Sequence, residues 1–224
     1  MLLVRDWMAR EVATVGPETT AAEALALCRE NRIRHLPVLK GRHLVGVISD
    51  RDLRVATPAL GDPDRAAALK RIRVADEMAQ EVVSARPEDP IEDAAAAMYE
   101  VKIGCLPVLE GEALVGILTS SDVMRALAWL VGVREPGTRL EVALPDRPGS
   151  LAEVAGTVRD QGVNIVSVLA PSGPEAAGER VAVLRLATIN PRKVVDSLGE
   201  AGYRVLWPPK PGAEPAAEPG AGGA

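Results

Sequence analysis

Residues 35–53 read HLPVLKGRHLVGVISDRDL, and residues 105–123 read CLPVLEGEALVGILTSSDV. The second string repeats the first 70 positions later, without a gap. Working outward, the match extends back to residues 6 and 76, where DWMAREV lies over DEMAQEV, and 20 of the 48 aligned positions are identical. Composition alone would give roughly four or five in a chain this rich in Ala. A unit this small cannot bury its own apolar face, so the two copies are expected to pack against each other.

Each copy reads as β-α-β-β-α. A β-rich piece comes first, at Val12–Val15 and Val82–Ala85. A helix follows, capped in copy one by Thr20 with Glu23 three residues on, a capping box. In copy two Asp89 precedes Pro90, which is expected at the first helical position. These helices are expected to end near Asn31 and Lys102. Two hairpin strands come next, Leu36–Leu39 with Leu44–Ile48 and Leu106–Leu109 with Leu114–Leu118, with Gly41 and Gly111 in the turns. A second helix opens at Ser49 or Thr119. Residues 54–73 join the copies through a loop and a short helix at Arg65–Ile72. Glu135-Pro136-Gly137 reads as a hinge.

Residues 138–207 have a different pattern. Leu140, Val142 and Leu144 alternate as in a half-buried strand. Leu151, Val154, Ala155 and Val158 form the apolar stripe of a helix that Gly162 can end. Strands at Asn164–Ala170 and Arg180–Ala187 flank a loop at Pro171–Glu179. A helix from Asn190-Pro191 and a strand at Tyr203–Trp207 complete a ferredoxin-like β-α-β-β-α-β order. In residues 208–224, nine of 17 are Pro or Gly, which reads as a disordered tail.

Composition narrows the function. The chain of 224 residues has a net charge of −5, which argues against a nucleic-acid-binding surface. Phe is absent and aromatics are 2%, so base-stacking platforms are not expected either. No run of 18 apolar residues and no signal-peptide stretch occur, and two cysteines cannot build a disulfide framework. A cytoplasmic protein without a membrane partner is the expectation. No Ser/His/Asp set, GxSxG, GxxxxGK[ST] or metal cluster is present. His35 and His43 have no cysteines near them and make a poor metal site. Cys28 reads as core, and Trp7, Trp129 and Trp207 as packing at module edges.

The sharpest motif is Gly46-Val-Ile-Ser49-Asp50-Arg51-Asp52 with its copy Gly116-Ile-Leu-Thr119-Ser-Ser-Asp122. Ser/Thr-x-x-Asp leading into a helix is close to a capping box and needs no ligand. The same residues also suit one. Free N–H groups and a hydroxyl can meet a phosphate, and a carboxylate one turn on can accept from a ribose diol.

The repeat, with Met8, His35-Leu-Pro-Val38, Cys105-Leu-Pro-Val108 and both Ser/Thr-x-x-Asp motifs, resembles tandem cystathionine-β-synthase (CBS) domains, the pairs called Bateman modules. The resemblance covers about residues 1–130. It implies two clefts between the copies that hold adenosine ligands such as AMP, ADP, ATP or S-adenosylmethionine. By that resemblance Ser49 and Thr119 are the hydroxyl residues and Asp52 and Asp122 face the ribose. The segments reaching Thr14 and Ser84, with His35, Pro37, Cys105 and Pro107, would line the base. Mg²⁺ would enter only with a nucleotide phosphate, beside Asp50 and Asp52; no resident cofactor is expected. Residues 6–53 carry seven basic and seven acidic residues, and residues 76–123 carry two and eleven. Arg51, Arg34 and Arg32 become Ser121, Gly104 and Lys102. On that count the Ser49/Asp52 cleft is expected to hold the phosphate.

Residues 138–207, through Leu140–Leu151 and Gly162-Val-Asn164-Ile, resemble an ACT domain, a ferredoxin-like module that commonly binds amino acids at dimer interfaces. Asp146, Arg147 and Gly149 precede a helix N-terminus suited to a carboxylate, and Asn164 offers an amide. The whole order resembles bacterial acetoin-utilisation (AcuB-type) proteins. The expected fold is α/β (α+β): CBS copies at 1–60 and 61–132, a linker at 133–137, an ACT domain at 138–207 and the tail. The expected function is a non-catalytic, homodimeric sensor of an adenosine ligand, with an amino acid as a second ligand. The alternatives are a dimeric scaffold with vestigial clefts and an accessory protein of acetoin metabolism.

Overall fold

The computed structural model describes residues 2–170 and 178–209. Residues 171–177 of the expected loop and 210–224 of the expected tail lie outside the described residues. The chain divides into two units, Met1–Ala126 and Leu127–Ala224.

In the first unit, copy one comprises α1 (Val4–Trp7), α2 (Ala21–Asn31), β1 (His35–Lys40), β2 (His43–Ser49) and α3 (Asp50–Val55). After α4 (Arg65–Arg71), copy two runs through α5 (Val74–Glu77), α6 (Ile91–Val101), β3 (Cys105–Glu110), β4 (Ala113–Thr119) and α7 (Ser120–Leu130), the last four residues of which fall in the second unit. The hairpins β1-β2 and β3-β4 form as the alternation predicts, with the same register and the same irregularity after Val38 and Val108. The Thr20–Glu23 capping box is present.

Two readings of the copies are corrected. The β-rich pieces make single parallel bridges, Val15 with Val38 and Ala85 with Val108. Two residues on, Pro17 and Pro87 have no N–H to continue a ladder. Pro90 is the N-cap of α6 and not its first turn. The Asp89 carboxylate accepts from the Arg86 amide at 2.7 Å instead. The Ile91 amide finds the carbonyl of Leu2 at 2.9 Å.

That bond belongs to an exchange between the copies. The leading segment of copy one packs into copy two: Val4 and Met8 join the core of Ile91, Met98, Leu106, Val108 and Leu118. The corresponding Val74 joins the core of copy one with Ala24, Leu36, Val38, Ile48 and Leu53, and Met78 packs against it. Backbone bonds repeat the exchange, Ala9 with Ile117 and Val47 with Ala79. Val4 and Val74 are completely buried. A fully buried side chain of this size contributes about 1.5–3 kcal/mol, so each core is incomplete without the other copy's segment.

The second unit contains β5 (Thr138–Pro145), α8 (Ser150–Asp160), β6 (Ile165–Leu169), β7 (Glu179–Leu186), α9 (Arg192–Glu200) and β8 (Arg204–Trp207). The sheet order β6-β7-β5-β8, antiparallel throughout, bears out the ferredoxin-like reading. Its core joins Leu140, Val142, Leu184 and Leu186 to Val154, Val158, Val194 and Leu198 from the helices. The stripe on α8 is corrected: Leu151 is 40% exposed, and Ser150 faces inward at 3%. The Ser150 hydroxyl donates to the Pro145 carbonyl at 2.7 Å, which sets that rotation. Residues 131–135, just before β5, are tied to this sheet. Ser167 donates to the Val131 carbonyl at 2.9 Å and Arg185 to the Glu135 carbonyl at 2.6 Å.

Candidate functional site

The site begins where each hairpin hands over to a helix. Ser49 ends β2 in an extended conformation, so its hydroxyl can turn back onto the first turn of α3. It accepts from the Asp52 amide at 3.2 Å, while Asp52 Oδ2 accepts from the Ser49 hydroxyl at 2.6 Å and the Ser49 amide at 2.9 Å. Thr119 and Asp122 repeat the two bonds to the carboxylate, at 2.6 Å from the hydroxyl and 2.9 Å from the amide. Ser49 and Asp52 thus form a full capping box on α3, and Asp122 turns back onto Thr119 in the same way at the start of α7.

The second carboxylate oxygen separates the copies. Asp122 Oδ1 is held by Arg125 at 3.0 Å. Arg125 also donates to the Trp7 carbonyl at 2.9 Å and stacks over the Trp7 ring at 5.7 Å. Position 55 of copy one, where the repeat places Arg125's counterpart, is Val55. Asp52 Oδ1 consequently makes no hydrogen bond or ion pair among the described residues.

Each capped motif borders a cavity completed by the other copy. The first has a volume of about 610 Å³ and joins Ser49, Arg51 and Asp52 to Val82, Ile103, Cys105 and Pro107. The second, about 660 Å³, joins Thr119 and Asp122 to Val12, Ala13 and Ile33. Both volumes lie within the range of about 300–1,000 Å³ usual for small-molecule sites. In each cavity a polar edge from one copy faces an apolar wall from the other. Such a pocket can take a flat apolar ring with hydroxyls at one end.

Of the residues singled out by sequence, His35 lines both cavities. Thr14, Ser84 and Pro37 are not among the lining residues of either. Lys102 and Glu81 at the first cavity and Asn31 and Glu11 at the second were not singled out as site residues. Arg32 and Lys102 occupy the same repeat position in left-handed conformation, φ 54° and 58°, closing α2 and α6. The only signal in sequence is that each is followed by an identical Ile, Ile33 or Ile103.

The charge bias of the copies does not carry over to the cavities, and that expectation is corrected. Arg34, Arg51 and Lys102 stand against Asp50, Asp52 and Glu81 in the first cavity. Arg32 and Arg34 stand against Glu11 and Asp122 in the second. Because each cavity draws on both copies, the acidic excess of copy two is spread elsewhere.

Burial lowers the His35 imidazole below its ordinary pKa, the Arg34 guanidinium adds to this, and Asp50 and Asp52 oppose it. Burial pushes the Cys105 thiol up to about 12 and Cys28 up to about 11, so both are un-ionised thiols at neutral pH. Among the described residues no group of three or more His, Cys, Asp or Glu side chains is placed to hold a metal ion.

In the second unit two of the four residues suggested for an amino acid, Asp146 and Arg147, are already engaged. Gly149 is the N-cap of α8 with φ 93°, a conformation that glycine adopts without strain. Asp146 pairs with Arg180 at 2.9 Å. Arg147 grips Glu153 through two bonds of 2.7 Å and 2.8 Å, and the Tyr203 hydroxyl donates to the same carboxylate. Asn164 is exposed, and its carbonyl accepts from the Ala187 amide at 2.9 Å. The Arg147 and Tyr203 hydrogen bonds lower the Glu153 carboxyl to about 2. A depressed carboxylate contributes stability above its ordinary pKa and loses it as pH falls through the lowered value. Acid titration of thermal unfolding should therefore show a loss between about pH 4.5 and pH 2 that Glu153→Gln abolishes. An unchanged acid limb in that variant would rule this contribution out.

Residues 4–58 and 72–128 match the CBS domain, and residues 136–207 match the TTHA0829-like ACT domain. The chain belongs to the CBS-domain family. Its CBS pair is followed by an ACT domain, and the pair is what its relatives share. The CBS domain-containing protein YhcV of Bacillus subtilis is 33% identical over 123 residues, 55% of this chain and 84% of that protein. The solved structure of a putative acetoin utilization protein, AcuB, from Vibrio cholerae aligns at 31% identity and TM-score 0.51, covering 61% of this chain and 99% of that one. CBSX2, solved in complex with AMP, aligns at 29% identity and TM-score 0.50, covering 58% and 99%. No helix among the described residues is long and apolar enough to cross a membrane.

Proposed function

We propose that this CBS pair is a non-catalytic sensor of an adenosine ligand, bound first in the Ser49/Asp52 cavity. The observation that carries the reading is Asp52. Its Oδ2 is occupied by the cap, but its Oδ1 points to no partner among the described residues, at the edge of a cavity with an apolar opposite wall. A carboxylate oxygen so placed can accept from the vicinal hydroxyls of a ribose, while Val82, Ile103 and Pro107 cover the base. The AMP held by the related CBSX2 supports the same ligand class.

Binding between the copies changes their arrangement only insofar as the ligand prefers one arrangement over another. In this reading the ACT domain assembles two chains. Its edge strand β6 exposes Val166 and Val168 and carries no charged residue to discourage pairing.

Thermal unfolding with AMP, ADP, ATP, S-adenosylmethionine and adenosine tests the proposal. A ligand that binds only the folded state raises stability by about 2.7 kcal/mol at a hundred times its Kd. At least one of the series should give such a concentration-dependent rise. No shift with any of them would end the adenosine reading.

A further inference from the structure

The two cavities are not independent, because both are lined by Arg34 and His35. In copy two the positions of Arg34 and His35 are held by Gly104 and Cys105. Copy two has no room for a second arm. A Cβ on Gly104 would lie 2.8 Å from His35 Nε2 and 2.9 Å from Cε1. The His35 ring thus fills the space that the counterpart of Arg34 would need.

Two lining carboxylates are neutralised by arginines of their own helices, Asp50 by Arg54 at 2.9 Å and Asp122 by Arg125 at 3.0 Å. Of the other lining charges, Arg51 and Lys102 balance Asp52 and Glu81 in the first cavity. Arg32 balances Glu11 in the second. Arg34 is the surplus cation of both, and it makes no ion pair among the described residues.

We infer that Arg34 is a single cationic arm shared by the two cavities, so that the CBS pair accepts one phosphate-bearing nucleoside readily and a second only poorly, while an uncharged nucleoside escapes this penalty. The inference rests on the adenosine reading above. When one phosphate recruits the guanidinium, the other cavity is left without surplus positive charge, and a second anion arrives beside the first. An uncharged adenosine calls on the arm in neither cavity, so its two affinities differ only by what Asp52 and Asp122 impose.

Isothermal titration of the full chain with AMP and with adenosine decides this. In the wild type, the ratio of second to first dissociation constant should be at least about tenfold larger for AMP than for adenosine, the scale of one charge-assisted hydrogen bond. In Arg34→Ala, AMP should bind more weakly and the two ratios should converge. The side chain is exposed and its backbone carbonyl, which accepts from the Asp50 amide, is retained, so the ligand-free Tm should be unchanged. Equal ratios for both ligands in the wild type, or an AMP ratio unmoved by Arg34→Ala, would overturn the shared arm and leave the adenosine reading standing. Binding of neither ligand would overturn both.

Discussion

Asp52→Ala is expected to remove half or more of the nucleotide-induced rise in Tm, whereas Asp122→Ala removes only a small part. The difference comes from the outer carboxylate oxygens. Asp52 Oδ1 is unengaged among the described residues, while Asp122 Oδ1 is held by Arg125 at 3.0 Å. A ribose reaching Asp122 must compete with a guanidinium fixed to Trp7 on its other side. A hydrogen bond to a charged group contributes about 1.5–3 kcal/mol, so losing Asp52 should weaken binding by about 10- to 150-fold. The substitution also removes one side of the α3 capping box, which lowers ligand-free stability by about 1 kcal/mol. Asp52→Asn separates the two effects, since its amide oxygen can still accept in the cap but carries no charge. Titration calorimetry with AMP on the three variants is the measurement. Full ligand-induced stabilisation of Asp52→Ala would show that this carboxylate serves the cap alone.

Gly46→Val should destabilise the first unit by about 3 kcal/mol or more, a loss of roughly 6–12 °C in Tm for a chain of this length. A Cβ at residue 46 would sit 2.6 Å from Met78 Sδ and 2.9 Å from the Ala79 carbonyl oxygen. The methionine can move, but the carbonyl cannot, because it accepts from the Val47 amide at 3.0 Å in the bridge between copies. Gly116 is in the same position against Met8 Sδ at 2.5 Å and the Ala9 carbonyl at 3.0 Å. Gly116→Val should therefore cost a similar amount. Urea unfolding of each variant tests this, and a midpoint within error of the wild type would refute the close approach.

The hairpins, helices and capped motifs were legible because repetition at fixed spacing marks equivalent positions twice over. Local chemistry then decides each element, as Thr20 and Glu23 do for α2 and Gly41 does for the first turn. What repetition cannot tell is which copy supplies the partner. Arg32 sits in the copy of Ser49 but lines the cavity of Thr119, and Lys102 does the reverse. Charge counted copy by copy therefore predicted a bias that neither cavity has. The pinning of Asp122 was hidden for a related reason. It needs Arg125 where the first copy has Val55, and it needs Trp7 from the other end of the unit. On α8 the apolar stripe pointed to Leu151, but a polar residue, Ser150, took the inner position because its hydroxyl had a carbonyl to meet.

The crossed placement of Val4 and Val74 reaches beyond stability. A growing chain that has just completed β2 and α3 still lacks the valine that closes their core, and must wait until residue 74 has been made. Its own opening residues stay idle longer, until α6 and the second hairpin exist. Neither half can be cut out or grafted alone without leaving a hole in one core and a loose apolar end on the other. The pair is thus the smallest piece that gene duplication and fusion can hand on intact.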